Sequence, residues 1–209
     1  MVTRLAPEQL CGWATARSIA RRLPAPVADH GGWRVDTASE TEQCRYFFAD
    51  PIDSIRALAA SIDRPGVFIK LCASDATLAS FLPAHWKLDP PHWAMIGGAW
   101  RRSVLPAGYR IDRREQDRAV HIRIIADNGD VVARGYGAQA LGVFAYDRIV
   151  TDAAYRRRGF AKAVMAELGQ AASPDAAHVL MATAMGRSLY ETIGWRIASP
   201  YATAFIPPA

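Results

Sequence analysis

The sequence predicts an α/β (α+β) protein in which a mixed central sheet is flanked by helices. Short apolar runs of strand length alternate with helical patterns along all 209 residues. Two apolar runs flank Asn128-Gly129, which predicts a β-hairpin, and the stretch LGVFAYDRIVT is apolar on both faces, as in a strand covered on each side. A composition of 51% hydrophobic and 22% charged residues fits a folded chain with a sizeable core.

The first half of the chain is predicted as α, β, β, α, β, α, β, β. A helix over Glu8–Leu23 begins after Pro7, and a second helix has Asp50 as its N-cap and Pro51 at its first position. Ser74 is expected to cap a third, short helix. The predicted strands are WRVDT, CRYFF, GVFIKLCA, HWKLD and WAMIGGAW.

The second half is predicted as a β-hairpin followed by β, α, β, α, β, β. After the strand LGVFAYDRIVT, a helix runs from Gly159 to about Ala172. The strand HVLMATA leads into the helix GRSLYETIG, which ends at Gly194, because glycine readily adopts the left-handed conformation at a helix C-terminus. Two final strands, WRIAS and YATAFI, complete this half.

The two halves end alike, since SFLPAHWKLDPPHWAMI parallels LYETIGWRIASPYATAF. The alignment pairs Trp86 with Trp195, Lys87 with Arg196, Leu88 with Ile197 and Pro91 with Pro200. This pattern indicates an old internal duplication. It predicts an N-terminal α/β region over residues 1–93 and a second domain over residues 94–209.

Charge and cysteine content narrow the classes of protein. The formal net charge is +5, and all but three of the 25 basic residues are arginines, which suit carboxylate and phosphate partners. This charge permits an anionic or nucleic-acid partner without requiring one.

Cys11, Cys44 and Cys72 lack disulfide or zinc spacing and are expected to be small buried residues in a reducing cytoplasm. Neither a signal peptide nor a membrane span is expected, and no metal site is predicted.

The stretch TDAAYRRRGFAKAVMAEL places three arginines and a glycine where a loop becomes a helix. Residues Arg156–Ala161 fit the pattern Gln/Arg-x-x-Gly-x-Gly/Ala, between a strand that ends near Thr151 and a helix that starts near Gly159. A helix N-terminus presents free N–H groups that bind phosphate, glycine lets the oxygens approach the backbone, and arginine adds charge-assisted hydrogen bonds. This loop is therefore predicted to bind a pyrophosphate.

From about Val120 to Phe205 the chain resembles the N-acyltransferases of the GNAT superfamily. The stretch DRIVTDAAYRRRGFAKAVM is similar to the acyl-CoA pyrophosphate loop of that family, and SLYETIGW is similar to its second signature. The resemblance implies a GNAT fold and acetyl-CoA as co-substrate. Residues 1–93 would then be a degenerate GNAT-like repeat that does not bind CoA, because Asp50 and Asp53 stand where the second half has its arginine loop.

The same resemblance assigns roles to residues of the second half. Ile149, Val150, Thr151 and Thr183 would contact the pantetheine arm; Arg156, Arg157, Arg158, Gly159, Phe160 and Ala161 would hold the pyrophosphate. Tyr190 would protonate the departing thiolate, although a core aromatic residue is the alternative.

Asp147 is the candidate general base. In a regular strand it shares a face with Ile149 and Thr151, whereas a bulge would reverse its face. A salt bridge to a neighbouring arginine is the alternative role for Asp147.

The leading hypothesis is a cytoplasmic N-acetyltransferase that transfers the acetyl (acyl) group of acetyl-CoA to a primary amine by direct attack. The acceptor would be a small-molecule or peptide amine; no nucleic acid and no membrane are expected as partners, and a homodimer is allowed. A covalent cysteine route is not expected, because no cysteine lies near the two signatures. The alternatives are a CoA-binding or CoA-sensing protein without turnover and a basic nucleic-acid-binding module.

Overall fold

The computed structural model describes residues 4–98 and 104–207. Twelve strands and five α-helices are described in these two ranges. The last two residues of the predicted strand WAMIGGAW, Ala99 and Trp100, lie outside them. In chain order the elements are α1 (Pro7–Arg21), β1 (Val27–Asp29), β2 (Gly32–Asp36), β3 (Cys44–Phe48), α2 (Ser54–Ala60), β4 (Val67–Leu71), α3 (Asp75–Ala79), β5 (Lys87–Leu88), β6 (His92–Gly97), β7 (Tyr109–Gln116), β8 (Ala119–Ala126), β9 (Val131–Ala140), β10 (Val143–Thr151), α4 (Phe160–Gly169), β11 (Ala177–Thr183), α5 (Ala184–Glu191) and β12 (Arg196–Phe205).

All twelve strands belong to one mixed sheet. Its order is β1-β2-β3-β4-β12-β6-β11-β10-β9-β8-β7, and the short β5 pairs with β12 off this path. Two neighbouring pairs are parallel, β3 with β4 and β10 with β11, and the other pairs along this path are antiparallel. The predicted fold class, a mixed sheet flanked by helices, is confirmed.

Helices cover both faces of the sheet, because apolar residues alternate along its strands between one face and the other. Phe47 and Ala145 belong to the core under α1, whereas their neighbours Phe48 and Phe144 belong to cores on the opposite face. On that opposite face α2 and α3 pack over the N-terminal strands, and α4 and α5 pack over the C-terminal ones. Thus α1 lies on one face and the other four helices lie on the other.

Local signals explain most of the elements. Ser74 caps α3 by accepting a hydrogen bond from the Thr77 N–H at 3.1 Å, as predicted. Gly194 has a φ of 87° just beyond α5, the conformation expected of a glycine that ends a helix. The hairpin at Asn128-Gly129 joins β8 to β9, with a φ of 91° at Gly129.

The start of the second helix and the division of the last strand were predicted wrongly, and the strands β1 and β7 were not predicted. The helix predicted to start at Asp50-Pro51 begins instead at Ser54 with Asp53 as its N-cap, and the Asp50 carboxylate pairs with Arg4 at 2.7 Å. The two predicted C-terminal strands are one strand, β12. Pro200 is tolerated there because it lies beside a bulge, where β12 changes partner from β6 to β4. The short strand β1 lies in a segment that was predicted to be a loop.

The two halves of the chain share an order of elements. The series β3-α2-β4-α3-β5 repeats the strand–helix–strand–helix–strand order of β10-α4-β11-α5-β12, as the duplication predicts; the first half adds β6, whereas the second half ends in the single strand β12. The final strand of each half also pairs with a strand of the other half: β6 pairs with β11, and β12 pairs with β4. The division into domains at residues 93 and 94 stays a prediction, since one continuous sheet joins the two ranges.

Candidate active site

The parallel strands β10 and β11 diverge after a short stretch of pairing. They are joined only at Val143–Ala145 and Ala177–Val179; among the described residues, none of Tyr146–Thr151 pairs with β11. The edge of β10 that faces β11 therefore leaves backbone N–H and C=O groups without a strand partner. A backbone edge of this kind can accept and donate hydrogen bonds to another molecule or to water.

A β-bulge in β10 changes the face on which Asp147 lies. The register with β9 shifts between Asp147 and Val150, and Arg148 has a left-handed φ of 50°. Asp147 consequently contacts arginines of α1, while Ile149 packs on the α4 side with the core around Phe144. Of the two alternatives, the structure contains the bulge, and its extra residue puts Asp147 and Ile149 on opposite faces.

Asp147 lies within a group of arginines. The Nε and Nη2 atoms of Arg21 donate to its two carboxylate oxygens at 2.6 and 2.8 Å, and Arg148 and Arg17 approach to 3.3 and 3.8 Å. Burial alone would raise the pKa of Asp147, but the hydrogen bonds from Arg21 and the surrounding positive charge outweigh it and hold the pKa below its usual value. The carboxylate is therefore a firmly ionised partner of α1.

The arginine loop turns tightly into α4. Arg157 has a φ of 64° and Gly159, the N-cap of α4, has a φ of 83°; glycine adopts this left-handed conformation without strain. Among the described residues, no side chain caps α4, so the N–H groups of its first turn remain available to an anion. The predicted helix start at Gly159 is confirmed.

The three arginines of the loop do not point the same way. Arg156 and Arg157 line the cleft beside Gly159, Phe160 and Ala161. The Arg158 guanidinium lies 5.4 Å from the ring of Tyr155, and its Nη1 atom donates to the Tyr109 hydroxyl at 3.4 Å. The structure thus brings all of the predicted loop residues together except the side chain of Arg158.

Tyr190 and Thr183 line the same cleft from α5 and its N-cap. Tyr190 is 7% exposed and lies 6.1 Å from Trp195, measured between ring centroids. Burial, together with the charge of Asp147, raises the pKa of Tyr190 to about 12, so its hydroxyl keeps its proton at neutral pH. The Thr183 hydroxyl accepts a hydrogen bond from the Gly186 N–H at 3.2 Å.

One cleft of about 1330 Å³ connects these groups. It is lined by Ile149, Val150 and Thr151 of β10, by the loop, by Tyr190, and by Asp147. The Thr151 hydroxyl is buried and finds no hydrogen-bond partner in the described part of the chain. An extended molecule with phosphates at one end and hydrogen-bonding groups along its length would satisfy the edge of β10, the Thr151 hydroxyl and the start of α4.

Sequence reasoning missed the far wall of this cleft. Trp13, Arg17 and Arg21 of α1 and Arg45, Lys70 and Tyr201 of the sheet line it. These residues come from both halves of the chain, and no local spacing in the sequence links them. Only the period of α1, which puts Trp13, Arg17 and Arg21 at four-residue intervals on one face, offered a signal.

Sequence comparison alone identifies no relatives, since no family model and no curated protein matches the chain. The fold, however, is that of the GCN5-related N-acetyltransferases. A GCN5-related N-acetyltransferase from Kribbella flavida superposes with a TM-score of 0.63 at 16% identity, over 94% of this chain and 95% of that one. A putative GNAT-family acetyltransferase from Novosphingobium aromaticivorans gives 0.57 at 17% identity, over 96% and 97%.

A tandem GNAT protein from the clavulanic acid biosynthesis pathway is also similar, with a TM-score of 0.55 at 13% identity, over 74% of this chain and 68% of that one. Within residues 4–98 and 104–207, the helices are too short or too polar to cross a membrane. The same residues contain no group of three or more histidine, cysteine or acidic side chains arranged for a metal ion.

Proposed function

We propose that this protein is an N-acetyltransferase that transfers the acetyl group of acetyl-CoA to a primary amine by direct attack. The observation that carries the proposal is the cleft itself. The parting of β10 from β11, the uncapped start of α4 and the buried hydroxyl of Tyr190 all meet in it. The solved GNAT-fold proteins support this class of activity.

The residues of the cleft suit acetyl-CoA, which would supply an activated thioester. The amides of Gly159, Phe160 and Ala161 and the guanidinium groups of Arg156 and Arg157 would hold its pyrophosphate. The free edge of β10 at Ile149–Thr151 and the hydroxyls of Thr151 and Thr183 would hydrogen-bond the pantetheine arm in the manner of an added strand.

Tyr190 is proposed to donate a proton, or a hydrogen bond, from its hydroxyl to the sulfur that leaves as CoA. A thiol has a pKa near 8.5, so the thiolate leaves more readily when a proton donor is close. The pKa of Tyr190, about 12, keeps this proton on the hydroxyl at neutral pH, so the hydroxyl can act as a hydrogen-bond donor to the sulfur. Burial against Trp195 fixes the ring.

Asp147 stays a candidate base, but its contacts favour another role. Its oxygens already accept two hydrogen bonds from Arg21, and its lowered pKa makes it a weak acceptor of protons. Holding Arg21 and Arg17 at the cleft is the role that these contacts support. The same observation favours one alternative function, a CoA-binding or CoA-sensing protein without turnover.

The N-terminal half is proposed to be a degenerate repeat that shapes the cleft without binding CoA. Its matching order of elements and the similar tandem GNAT protein support this origin. A cytoplasmic location and a homodimer stay predictions.

Two measurements test the proposed function. Calorimetry with acetyl-CoA tests binding, and release of the CoA thiol in the presence of a library of amines tests turnover. Binding with turnover of at least one amine is expected. Binding without turnover of any amine would favour the sensor, and the absence of binding would contradict both functions.

A further inference from the structure

The far wall of the cleft, under α1, contains a cluster of two cations and two aromatic side chains that the proposed acetyl-CoA site does not use. Its members are Arg17, Lys70, Tyr201 and Trp13, which we call the α1 cluster. Lys70 Nζ lies 5.8 Å from the Tyr201 ring, the Tyr201 and Trp13 rings are 6.0 Å apart, and the Arg17 guanidinium lies 5.7 Å from the Trp13 ring. These four side chains therefore surround one region.

The α1 cluster is remote from the phosphate-binding loop. Lys70 lies on β4, and β12, β6 and β11 separate that strand from β10, which leads into the loop. Four inter-strand spacings amount to about 19 Å. The α1 cluster also lies on the face opposite α4, since Trp13 and Tyr201 belong to the core under α1. Phosphates held at the start of α4 would therefore lie far from Lys70, on the other face of the sheet.

Neither cation of the α1 cluster, Arg17 or Lys70, is hydrogen-bonded to a carboxylate within the described residues. Nearby, Arg21 is paired with Asp147 and Arg45 with Glu42, each through two hydrogen bonds. Arg17, by contrast, is 7% exposed and donates no hydrogen bond to any residue of the described ranges; its Nε atom stays 3.8 Å from Asp147.

Lys70 hydrogen-bonds only the Thr203 hydroxyl, at 3.1 Å, within the described part of the protein. Arg17 is buried and Lys70 is half-buried, and a cation withdrawn from water is costly unless an anion joins it.

Two neutral donors in the same place are also unsatisfied. The Tyr201 hydroxyl and the Trp13 indole N–H are buried and have no hydrogen-bond partner among residues 4–98 and 104–207. Burial and the charges of Arg45 and Arg21 lower the pKa of Arg17 to about 9, so the nearby Asp147 carboxylate compensates its guanidinium only in part. A ligand that brings oxygen acceptors and a negative charge would satisfy all of these groups.

We infer that the acceptor of the acetyl group is a small amine that carries an anionic group, a carboxylate or a phosphate, which Arg17, Lys70 and Tyr201 bind beneath α1. This inference rests on the proposed function and identifies the class of its second substrate. The anionic end lies under α1, and the amine end extends toward Tyr190, where the cleft leads to the thioester. Neutral amines leave the α1 cluster unpaired and bind weakly.

The first test is anion binding, which does not depend on turnover. The protein, with CoA bound, is titrated with acetate and with inorganic phosphate, against chloride at matched ionic strength, and thermal stability is recorded. Acetate or phosphate is expected to stabilise the protein, and Arg17→Gln is expected to weaken the apparent affinity roughly 10- to 100-fold. Arg22→Gln is the matched control, since Arg22 lies at the end of the same helix with its side chain 66% exposed.

Tyr201→Phe keeps the ring and removes only the unpartnered hydroxyl, so it tests the α1 cluster even where Arg17→Gln does not fold. Its affinity for the anion is expected to fall several-fold. The inference is overturned if neither anion stabilises the wild type. It is also overturned if both variants respond to the anions as the wild type does.

The second test compares turnover of matched amines: β-alanine with propylamine, lysine with cadaverine, and phosphoethanolamine with ethylamine. The anionic member of at least one pair is expected to have the higher kcat/KM, and Arg17→Gln is expected to remove that preference. A carboxylate preference or a phosphate preference identifies the anion. Turnover of neutral amines alone would overturn this inference and leave the proposed function standing. Failure to bind acetyl-CoA would overturn the proposed function and, with it, the acceptor. The anion titration without CoA would still decide whether the α1 cluster binds an anion.

Discussion

The two parallel strand pairs of the sheet begin alike and end differently. In the N-terminal half, β3 and β4 pair over five residues each, from Cys44–Phe48 to Val67–Leu71. In the C-terminal half, β10 and β11 pair over only three, and then a bulge and a left-handed Arg148 turn β10 aside. The same order of elements thus gives a closed sheet in one half and an open cleft in the other.

The loop that follows β10 also differs in charge from the loop that follows β3. After β10 the chain makes an arginine loop and enters α4 through Gly159, with no side-chain cap. After β3 it passes through ADPIDS and enters α2 at Ser54, next to two aspartates. The proposed site combines parted strands, a free helix start and a loop with positive charge. The N-terminal half shares only the helix start without a side-chain cap: its strands stay paired, and its loop carries aspartates.

Removal of the Tyr190 hydroxyl, in the C-terminal half, is expected to have the largest effect on activity. Tyr190→Phe should lower kcat about 10²–10⁴-fold, the usual contribution of a general acid. Its melting temperature and its affinity for acetyl-CoA should stay close to those of the wild type, because the ring still packs against Trp195. Steady-state kinetics, calorimetry and thermal denaturation give the three readouts.

A different pattern would contradict this role for Tyr190. If the melting temperature falls while kcat is preserved, Tyr190 is a core residue. If both survive, the proton of the thiol comes from water.

Reversal of charge in the loop is the next test of the comparison. At a hundredfold excess over its dissociation constant, acetyl-CoA should stabilise the wild type by about 2.7 kcal/mol. The double variant Arg156→Glu, Arg157→Glu should lose this stabilisation, because both side chains line the cleft. Arg158→Glu is the matched variant, and its loss should be smaller, since that guanidinium points to Tyr109 and Tyr155.

The loop assignment fails if the double variant binds acetyl-CoA as the wild type does. An equal loss in Arg158→Glu would show that the loop rearranges when it binds the ligand.

Lys70, in the N-terminal half, should make the free energy of unfolding depend on pH. Burial, with repulsion from Arg45 and Arg17, lowers the pKa of Lys70 from 10.5 to about 7. Between these two values the unfolded chain binds a proton that the folded chain does not, so the free energy of unfolding rises with pH, on the order of 1 kcal/mol per unit.

Lys70→Met should remove this rise, whereas Lys87→Met, at an exposed position of β5, should keep it. Urea denaturation at pH 8, 9 and 10 measures the slopes. Equal slopes for Lys70→Met and wild type would show that Lys70 keeps its proton in the folded protein.

The smallest expected effect concerns the aspartates of the closed half. Calorimetry should give one acetyl-CoA per chain, and Asp50→Asn should leave that affinity unchanged. The partly exposed pair of Asp50 with Arg4 contributes at most about 1 kcal/mol to stability. A second acetyl-CoA site that appears in Asp50→Asn would mean that charge alone separates the two halves.

Those features that depend on neighbouring residues could be predicted from the sequence. The cap at Ser74, the hairpin at Asn128-Gly129 and the start of α4 at Gly159 each depend on a few consecutive residues, and the structure confirms all three. The motifs that contain the loop and Tyr190 are local as well, and the roles assigned to them stay predictions. The structure brings them into one cleft.

What escaped prediction depends on distant residues. The bulge at Arg148 follows from how β9 and β10 fit together, and nothing in LGVFAYDRIVT signals it. Pro200 suggested a break between two strands because the change of partner along β12 cannot be read locally. Arg17, Lys70 and Tyr201 come from three separate elements that meet only in the folded sheet.

The exchange of final strands between the halves determines how the chain can fold. Until residues 196–205 are in place, β4 has an unpaired edge on that side, and β6 cannot lie between β11 and β12. The partners of β12 lie more than a hundred residues earlier, and contacts of such long range slow folding. A chain cut between β6 and β7 would therefore give two fragments with open edges. Mixed together, those fragments should complement each other, whereas either one alone should aggregate.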